Sequence, residues 1–336
     1  MENFPKDKIA IIKSLLDSPK KILILSHFNP DGDALGSSLA LKLFFEKLGH
    51  FAQCIYPSSY PPYYNWMPKN EESIIYSDAK KDFVKEHFDN CDIIFSVDFN
   101  AKERINDMQE FLADSSVPKV VIDHHQSPSE DFDFYFCNDK YSSACELVYE
   151  FILAYHSLEI IDKELATCLY TGLITDTGGF QFSSTHASSH IMASNLLKTG
   201  IQAQEIFNDC FNNFSLNRLK LFGYCVANNM TLVAHKKVAF MWIDNDTKYK
   251  FNIKDGDTEG LVNHPLKVGD INVSVLFKED KDKIRISFRS KEGVDVNQFA
   301  RKHFNGGGHI NAAGGSSKLS LKDTLEIFEK LVESEF

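Results

Sequence analysis

Ile22-Leu23-Ile24-Leu25-Ser26-His27-Phe28-Asn29-Pro30-Asp31-Gly32-Asp33 is the stretch on which the reading of this chain turns. Four apolar residues run into a polar loop, and the segment from Ala34 to Leu48 then has helical periodicity, so the stretch reads as a strand-to-helix turn. In open α/β sheets such turns lie at the carboxyl edge of the strands, where ligands bind. Here the turn brings one imidazole and two carboxylates to that edge, the donor types of a divalent-metal site. An ordinary Asn-Pro-Asp-Gly turn with Asp33 as helix N-cap accounts for the same residues. Both readings stand open on this stretch alone.

Two later runs repeat the pattern. Cys91-Asp92-Ile93-Ile94-Phe95-Ser96-Val97-Asp98 and Lys119-Val120-Val121-Ile122-Asp123-His124-His125 are buried-strand patterns that end in Asp or His. Helical segments between them imply parallel strands. A further helix over 162–175 runs into Thr175-Asp176-Thr177-Gly178-Gly179, where the paired glycines stop it and leave Asp176 at its tip. Helices are also expected over 5–18, 143–155 and 185–198, with short strands near Phe51–Tyr56 and Ser73–Tyr76. The intervening Tyr/Pro-rich loop 57–68 reads most simply as surface packing.

Composition bounds the class. The chain has 336 residues, enough for two domains of ~100–200 residues each. No apolar run approaches the roughly 20 residues that span a bilayer, and the first residues carry no basic start feeding an apolar segment. A soluble cytoplasmic protein without a membrane partner is expected. Seven scattered cysteines without a CxxC pair read as reduced, buried thiols. A net charge of −11 argues against a grip on long nucleic acid, which rests on neutralising many phosphates. A small phosphorylated substrate, held through cations and a few Arg or Lys, remains compatible.

Beyond a helical stretch over 202–226 the pattern changes to β. Val238–Ile243, Ile271–Phe277 and Lys283–Ser290 read as strands, and alternation in the last buries Ile284, Ile286 and Phe288 while Arg285, Ser287 and Arg289 share the other face. Gly306-Gly307-Gly308-His309 follows a helix over 297–303. The three glycines allow backbone N–H groups to approach a phosphate, and His309 offers a hydrogen bond or a stacking surface. Arg289 is the strongest phosphate clamp on the polar row. The domains are expected at 1–200 and 227–336, with 201–226 as a helical connector. His87, His156, His186, His190, His235, His264 and His303 are assigned nothing.

Taken together, the ordered set SHFNPDGD (26–33), SVDFN (96–100), IDHHQ (122–126) and TDTGG (175–179), followed by GGGHINAAG (306–314), resembles the motifs of the DHH phosphoesterase superfamily with its DHHA1 C-terminal domain. The likeness spans nearly the whole chain. Within that superfamily it is most similar to the bifunctional oligoribonucleases that are also phosphoadenosine phosphate phosphatases. The resemblance implies an α/β fold: a DHH domain with a mainly parallel sheet flanked by helices, a helical connector, and a smaller α/β DHHA1 domain with a mixed or antiparallel sheet. It implies two divalent ions, Mn²⁺ first with Mg²⁺ or Co²⁺ as alternatives. His27, Asp31 and Asp98 would hold one ion and Asp33, Asp98, His124 and Asp176 the other. A bridging Asp98 would set the ions about 3.5–4 Å apart. Asp123 would orient a histidine, and His125 would act as general acid or stabilise phosphoryl charge. The expected substrates are short RNA oligonucleotides or 3′-phosphoadenosine 5′-phosphate; cyclic or linear dinucleotides are the alternative, and a sensor without turnover ranks below both. A homodimer is compatible with this reading, and Arg104 and Arg285 are left without a role.

Overall fold

The computed structural model describes residues 4–233, 237–254, 256–291 and 293–335; His235 lies outside them. The backbone divides into two compact units, Met1–Asn213 and Phe214–Phe336.

The first unit is built on a sheet of six parallel strands: β1 (Lys21–Leu25), β2 (Phe51–Tyr56), β3 (Ile74–Ile75), β4 (Ile93–Val97), β5 (Lys119–Asp123) and β6 (Phe134–Cys137), in the order β3-β2-β1-β4-β5-β6. Alternation sends Ile22 and Ile24 of β1 to one face and Leu23 and Leu25 to the other. The first face is covered by α1 (Lys6–Leu15), α2 (Gly32–Lys47), α5 (Ala144–Tyr155), α6 (Lys163–Asp176) and α7 (Ala187–Leu197). The second is covered by α3 (Lys81–Asn90) and α4 (Gln109–Asp114), with Ile105 and Met108. Both faces are therefore dry, which is why β1, β4 and β5 read as unbroken apolar runs. The edge strand β6 escaped the sequence reading because its apolar run, Phe134-Tyr135-Phe136-Cys137, is only four residues long, mostly half-buried and preceded by the acidic stretch 130–133. After it come α8 (Ala203–Phe207) and a π-helical turn Asn208–Asn212.

Chain order reverses at β1. Its neighbours are β2 on one side and β4 on the other, so the β1/β4 junction is the switch point at which a crevice opens beyond the strand ends. The turn after β1 and the turn after β4 meet there. α2 is buried along almost its whole length because α6 and α5 pack against it opposite the sheet. Two glycines allow this: a Cβ on Gly36 would lie 2.5 Å from the Cys168 carbonyl oxygen, and one on Gly172 would lie 2.2 Å from the Cys145 sulfur. Six of the seven cysteines are buried and all are free thiols.

The loop 57–68 packs rather than projects. Tyr64 and Met67 are buried with Tyr60, Tyr63 and Trp66 against the main core, and Ser58 Oγ accepts the Asn29 N–H at 2.7 Å, tying this loop to the motif turn.

The second unit begins with α9 (Leu216–Asn228) and carries a mixed six-stranded sheet: β7 (Met230–Val233), β8 (Val238–Ile243), β9 (Val273–Glu279), β10 (Ile284–Ser290), β11 (Gly307–His309) and β12 (Ala312–Ser317). Its order is β11-β12-β10-β9-β8-β7, with β8 and β9 parallel and the other pairs antiparallel. Phe288, Phe299, Phe304 and Phe328 fill the core under α11 (Val296–His303) and α12 (Leu321–Glu335). A short helix α10 (Asn245–Phe251), absent from the sequence reading, follows β8. The glycine run is not an open loop: Gly307–His309 pairs with Ala312–Gly314 as a hairpin.

Candidate metal and phosphoester site

Four chain segments deliver the site. His27 and Asp31 come from the loop after β1, Asp33 from the first turn of α2, Asp98 and Asp123 with His124 from the ends of β4 and β5, and Asp176 is the last residue of α6. The structure makes Asp31, not Asp33, the N-cap of α2: its Oδ1 accepts from the Asp33 and Ala34 N–H groups at 3.0 and 3.1 Å. Its other oxygen, Oδ2, lies 4.0 Å from His27 Nε2. One carboxylate therefore serves both purposes between which the sequence left a choice. The His27 ring is turned by a 2.9 Å contact of Nδ1 with the Phe28 carbonyl, which aims Nε2 at the crevice.

Asp98 sits at the centre. Its backbone has φ +59°, a left-handed conformation that Asp tolerates better than most residues, and its N–H continues the ladder to the Ile122 carbonyl at 3.2 Å. Oδ2 is 3.3 Å from His27 Nε2, and Oδ1 is 3.5 Å from His124 Nε2. His124 Nε2 in turn lies 3.4 Å from Asp176 Oδ2 and 3.9 Å from Asp33 Oδ2. Ligand atoms of His27, Asp31 and Asp98 lie within 4.8 Å of one another, as do those of Asp33, His124 and Asp176. Asp98 touches both groups.

Sequence reasoning missed what holds Asp33. Its carboxylate lies at the N-terminus of α5, where Oδ2 accepts from the Ala144 N–H at 2.6 Å and Oδ1 from the Cys145 N–H at 2.9 Å. The signal was present as Ser143-Ala144-Cys145-Glu146, a capping-box pattern that marks a helix start, but which anion its free donors would meet depends on the fold.

Asp123 is completely buried and is committed to His125. Its two oxygens take the His125 Nδ1 at 2.7 Å and the His125 N–H at 3.0 Å. The partner of Nδ1 is a carboxylate oxygen, so Nδ1 is the nitrogen that carries the proton in this bond.

The electrostatics are those of a crowded anionic pocket. Burial pushes the Asp33 carboxyl well above its ordinary range, reinforced by the charges of Asp98 and Asp176. Asp176 is pushed up to about 7 by burial first, with His124 opposing and Asp31 and Asp98 adding. For Asp98 burial acts upward too, but the nearby His124 and His27 imidazoles win and hold it well below the usual carboxylate range. Burial would lower His27 and His124; their carboxylate partners outweigh it, raising His27 to about 9 and His124 well above 6.5.

The donor set fits divalent ions. Asp98 Oδ1 is buried with no hydrogen-bond partner among the described residues. The spacings of 3.3 to 4.0 Å between imidazole nitrogens and carboxylate oxygens exceed good hydrogen bonds. They are near the separation of neighbouring ligands on one ion, about 3 Å at right angles for bonds of about 2.1 Å. Carboxylates with imidazoles are the donors of Mg²⁺, Mn²⁺ and Zn²⁺.

In the second unit Arg289, Ala312 and His309 are in register across β10, β12 and β11, so Arg289 and His309 share one sheet face with only Ala312 between them. Part of the glycine run is needed by the hairpin itself. A Cβ on Gly306 would meet the Gly314 carbonyl oxygen at 2.1 Å, and Gly308, at φ +144°, would meet that of Ala312 at 2.5 Å. The Gly306 N–H donates to the Ala300 carbonyl at 3.1 Å. Gly307 has room. Arg285 forms a 2.5 Å ion pair with Asp280, the ordinary surface role. Arg104 contributes its carbonyl, which accepts the Phe28 N–H at 2.8 Å, while its side chain is exposed.

Comparison with known proteins gives the family. Residues 21–173 match the model of the DHH family, N-terminal domain, and residues 233–334 that of the DHHA1 domain. Fold and site together define a hydrolase of phosphoester bonds that uses divalent metal. The chain belongs to the DHH/DHHA1 phosphoesterase family. It is 30% identical over 312 residues, 92% of this chain and 93% of the relative, to the probable bifunctional oligoribonuclease and PAP phosphatase NrnA of Streptococcus mutans. Against the bifunctional oligoribonuclease and PAP phosphatase NrnA of Bacillus subtilis it is 30% identical over 300 residues, 88% of each chain. The crystal structure of an exopolyphosphatase-related protein from Bacteroides fragilis superimposes with a TM-score of 0.95 at 34% identity, covering 99% of this chain and 98% of that one. The exonuclease RecJ bound to manganese shares the fold at a TM-score of 0.51 and 13% identity, covering 100% of this chain and 97% of that one.

Proposed function

We propose that this protein hydrolyses short oligoribonucleotides to mononucleotides and 3′-phosphoadenosine 5′-phosphate to AMP, using two divalent ions with Mn²⁺ preferred. The observation that carries the reading is Asp98: a buried carboxylate with one oxygen that has no hydrogen-bond partner among the described residues, reaching His27 on one side and His124 on the other. The names of the relatives supply the substrate class.

In this reading His27, Asp31 and Asp98 hold one ion, and Asp33, Asp98, His124 and Asp176 the other. Bound there, a pair of divalent ions supplies Lewis-acid activation of the phosphoryl group and of the attacking water. The chain does the rest. Asp98 joins the two groups of ligands and fixes their spacing. The Phe28 carbonyl keeps His27 Nε2 aimed, and the α5 amides keep both Asp33 oxygens in place. Asp123 locks the His125 ring, so that Nε2 donates a proton to the leaving oxygen or a hydrogen bond to the phosphoryl oxygens. Arg289 clamps a phosphate of the nucleotide bidentately, with His309 and the Gly306–Gly308 backbone beside it.

Initial rates with Mn²⁺ on a diribonucleotide, a five-mer, 3′-phosphoadenosine 5′-phosphate, a cyclic dinucleotide and pyrophosphate test the substrate class. The diribonucleotide and the bisphosphate should lead. A cyclic dinucleotide or pyrophosphate turned over fastest would refute it.

A further inference from the structure

Glu146 is a buried acid that none of the roles above employs. It is 1% exposed, in the first turn of α5. Its Oε2 accepts three hydrogen bonds: from the Ser142 N–H at 3.0 Å, the Ser142 hydroxyl at 2.5 Å and the Ser189 hydroxyl at 3.2 Å. Oε1 is buried with no hydrogen-bond partner among the described residues. Burying a carboxylate this incompletely satisfied is costly, and an apolar residue would pack without that cost.

What the acid does is seen in where its bonds lead. Ser142 precedes the N-cap Ser143, whose hydroxyl accepts the Glu146 N–H at 3.0 Å. Ser189 lies in the first turn of α7, where its hydroxyl also accepts the His186 N–H at 3.2 Å, and its single proton is shared between Glu146 Oε2 and Ser142 Oγ, 3.1 Å away. Glu146 thus ties the starts of α5 and α7 together and fixes the direction in which the first turn of α5 points its free donors. Those donors, Ala144 and Cys145 N–H, are the two that hold Asp33. Every N–H of that turn is accounted for: two on Asp33, one on Ser143.

We propose that Glu146, with Ser142 and Ser189, is a positioning group for the ion site formed by Asp33, His124 and Asp176, acting through the α5 amides. This rests on the two-ion reading above. His27, Asp31 and Asp98 make no bond to Glu146, Ser142 or Ser189 themselves, so the ion on the His27 side, which shares only Asp98 with its neighbour, should feel the loss less.

Calorimetric titration of the full chain with Mn²⁺ alone tests this. Wild type should show two classes of site, and Asp31→Asn identifies the class that depends on the His27 side. In Glu146→Ala the other class should weaken about tenfold, within the range for removing groups that orient metal ligands, while the Asp31-dependent class weakens less than threefold and the circular dichroism stays unchanged. Glu146→Gln, which retains an acceptor, should restore most of the affinity. If Glu146→Ala does not fold, Ser189→Ala decides, with a two- to threefold weakening of the same class expected. Both classes weakening equally, or neither in a folded variant, overturns the positioning role. A wild type that binds no Mn²⁺ overturns the two-ion reading itself.

Discussion

Deprotonating His27 in the metal-free protein should destabilise the first unit, and saturating metal should cancel that dependence. The ring is buried, which by itself favours the neutral form, but Asp98 at 3.3 Å and Asp31 at 4.0 Å more than offset this and raise it from 6.5 to about 9. A histidine raised in the folded state contributes stability that is complete below about pH 6.5 and lost as pH rises through about 9. The difference of about 2.5 pH units corresponds to about 3 kcal/mol, and the depression of Asp98 is the same interaction seen from its partner, so the two are not added. For a unit of this size about 3 kcal/mol is roughly 6–12 °C in Tm. Asp176, raised to about 7, acts in the same direction at lower pH, between about 4 and 7. An ion in the site requires the neutral imidazole, so its affinity should rise about tenfold per pH unit for each proton displaced. Thermal melts in EDTA should therefore fall between about pH 6.5 and about 9, while the gap between melts with Mn²⁺ and with EDTA widens. A gap independent of pH, or a His27→Gln variant that keeps the metal-free slope, would refute the reasoning.

Asp98→Asn should lower Mn²⁺-dependent kcat on a diribonucleotide at least 100-fold, leave the circular dichroism unchanged, and flatten the metal-free fall in Tm above about pH 6.5 because the charge that raises His27 is gone. Asn is the conservative choice because φ is +59° at this position, and Ala would add about 1–2 kcal/mol of backbone strain. Residual turnover within tenfold of wild type counts against the bridge. Asp123→Asn leaves one oxygen for the two His125 donors and faces the other with an NH2, so it should disturb the ring's tautomer and lower kcat more than it raises KM; an unchanged pH–rate profile would show that His125 needs no orienting. Arg289→Ala should raise KM about tenfold or more with kcat within threefold, the pattern of lost ground-state binding, and equal KM values for every nucleotide would remove the phosphate clamp.

Much of this was legible in the sequence because it is local. Apolar runs ending in Asp or His marked β1, β4 and β5, since strands buried on both faces cannot alternate, and the ordered motifs marked the family. The paired glycines after Asp176 marked the end of α6, where Gly178 and Gly179 both have positive φ. Half-buried β6 is an apolar run of only four residues that ends in neither Asp nor His, and the glycine run looked like an open cradle because its hairpin partner lies only a few residues on without an alternating pattern.

What the sequence by itself determined, then, is which residues carry donors and that they stand at element ends. Only the tertiary structure decided how they divide. Asp31 and Asp33 are two residues apart and chemically identical, yet one caps α2 while facing His27, and the other is held 111 residues away in sequence by the first amide of α5. Asp123 and Asp98 both end strands, yet one is spent on His125 and the other is left with an open oxygen. Strand order places these ends beside one another, and the close approach of α2 to α6 and α5 selects the partner for each carboxylate. Neither is a property of any single segment, because both arise from packing between elements distant in the chain.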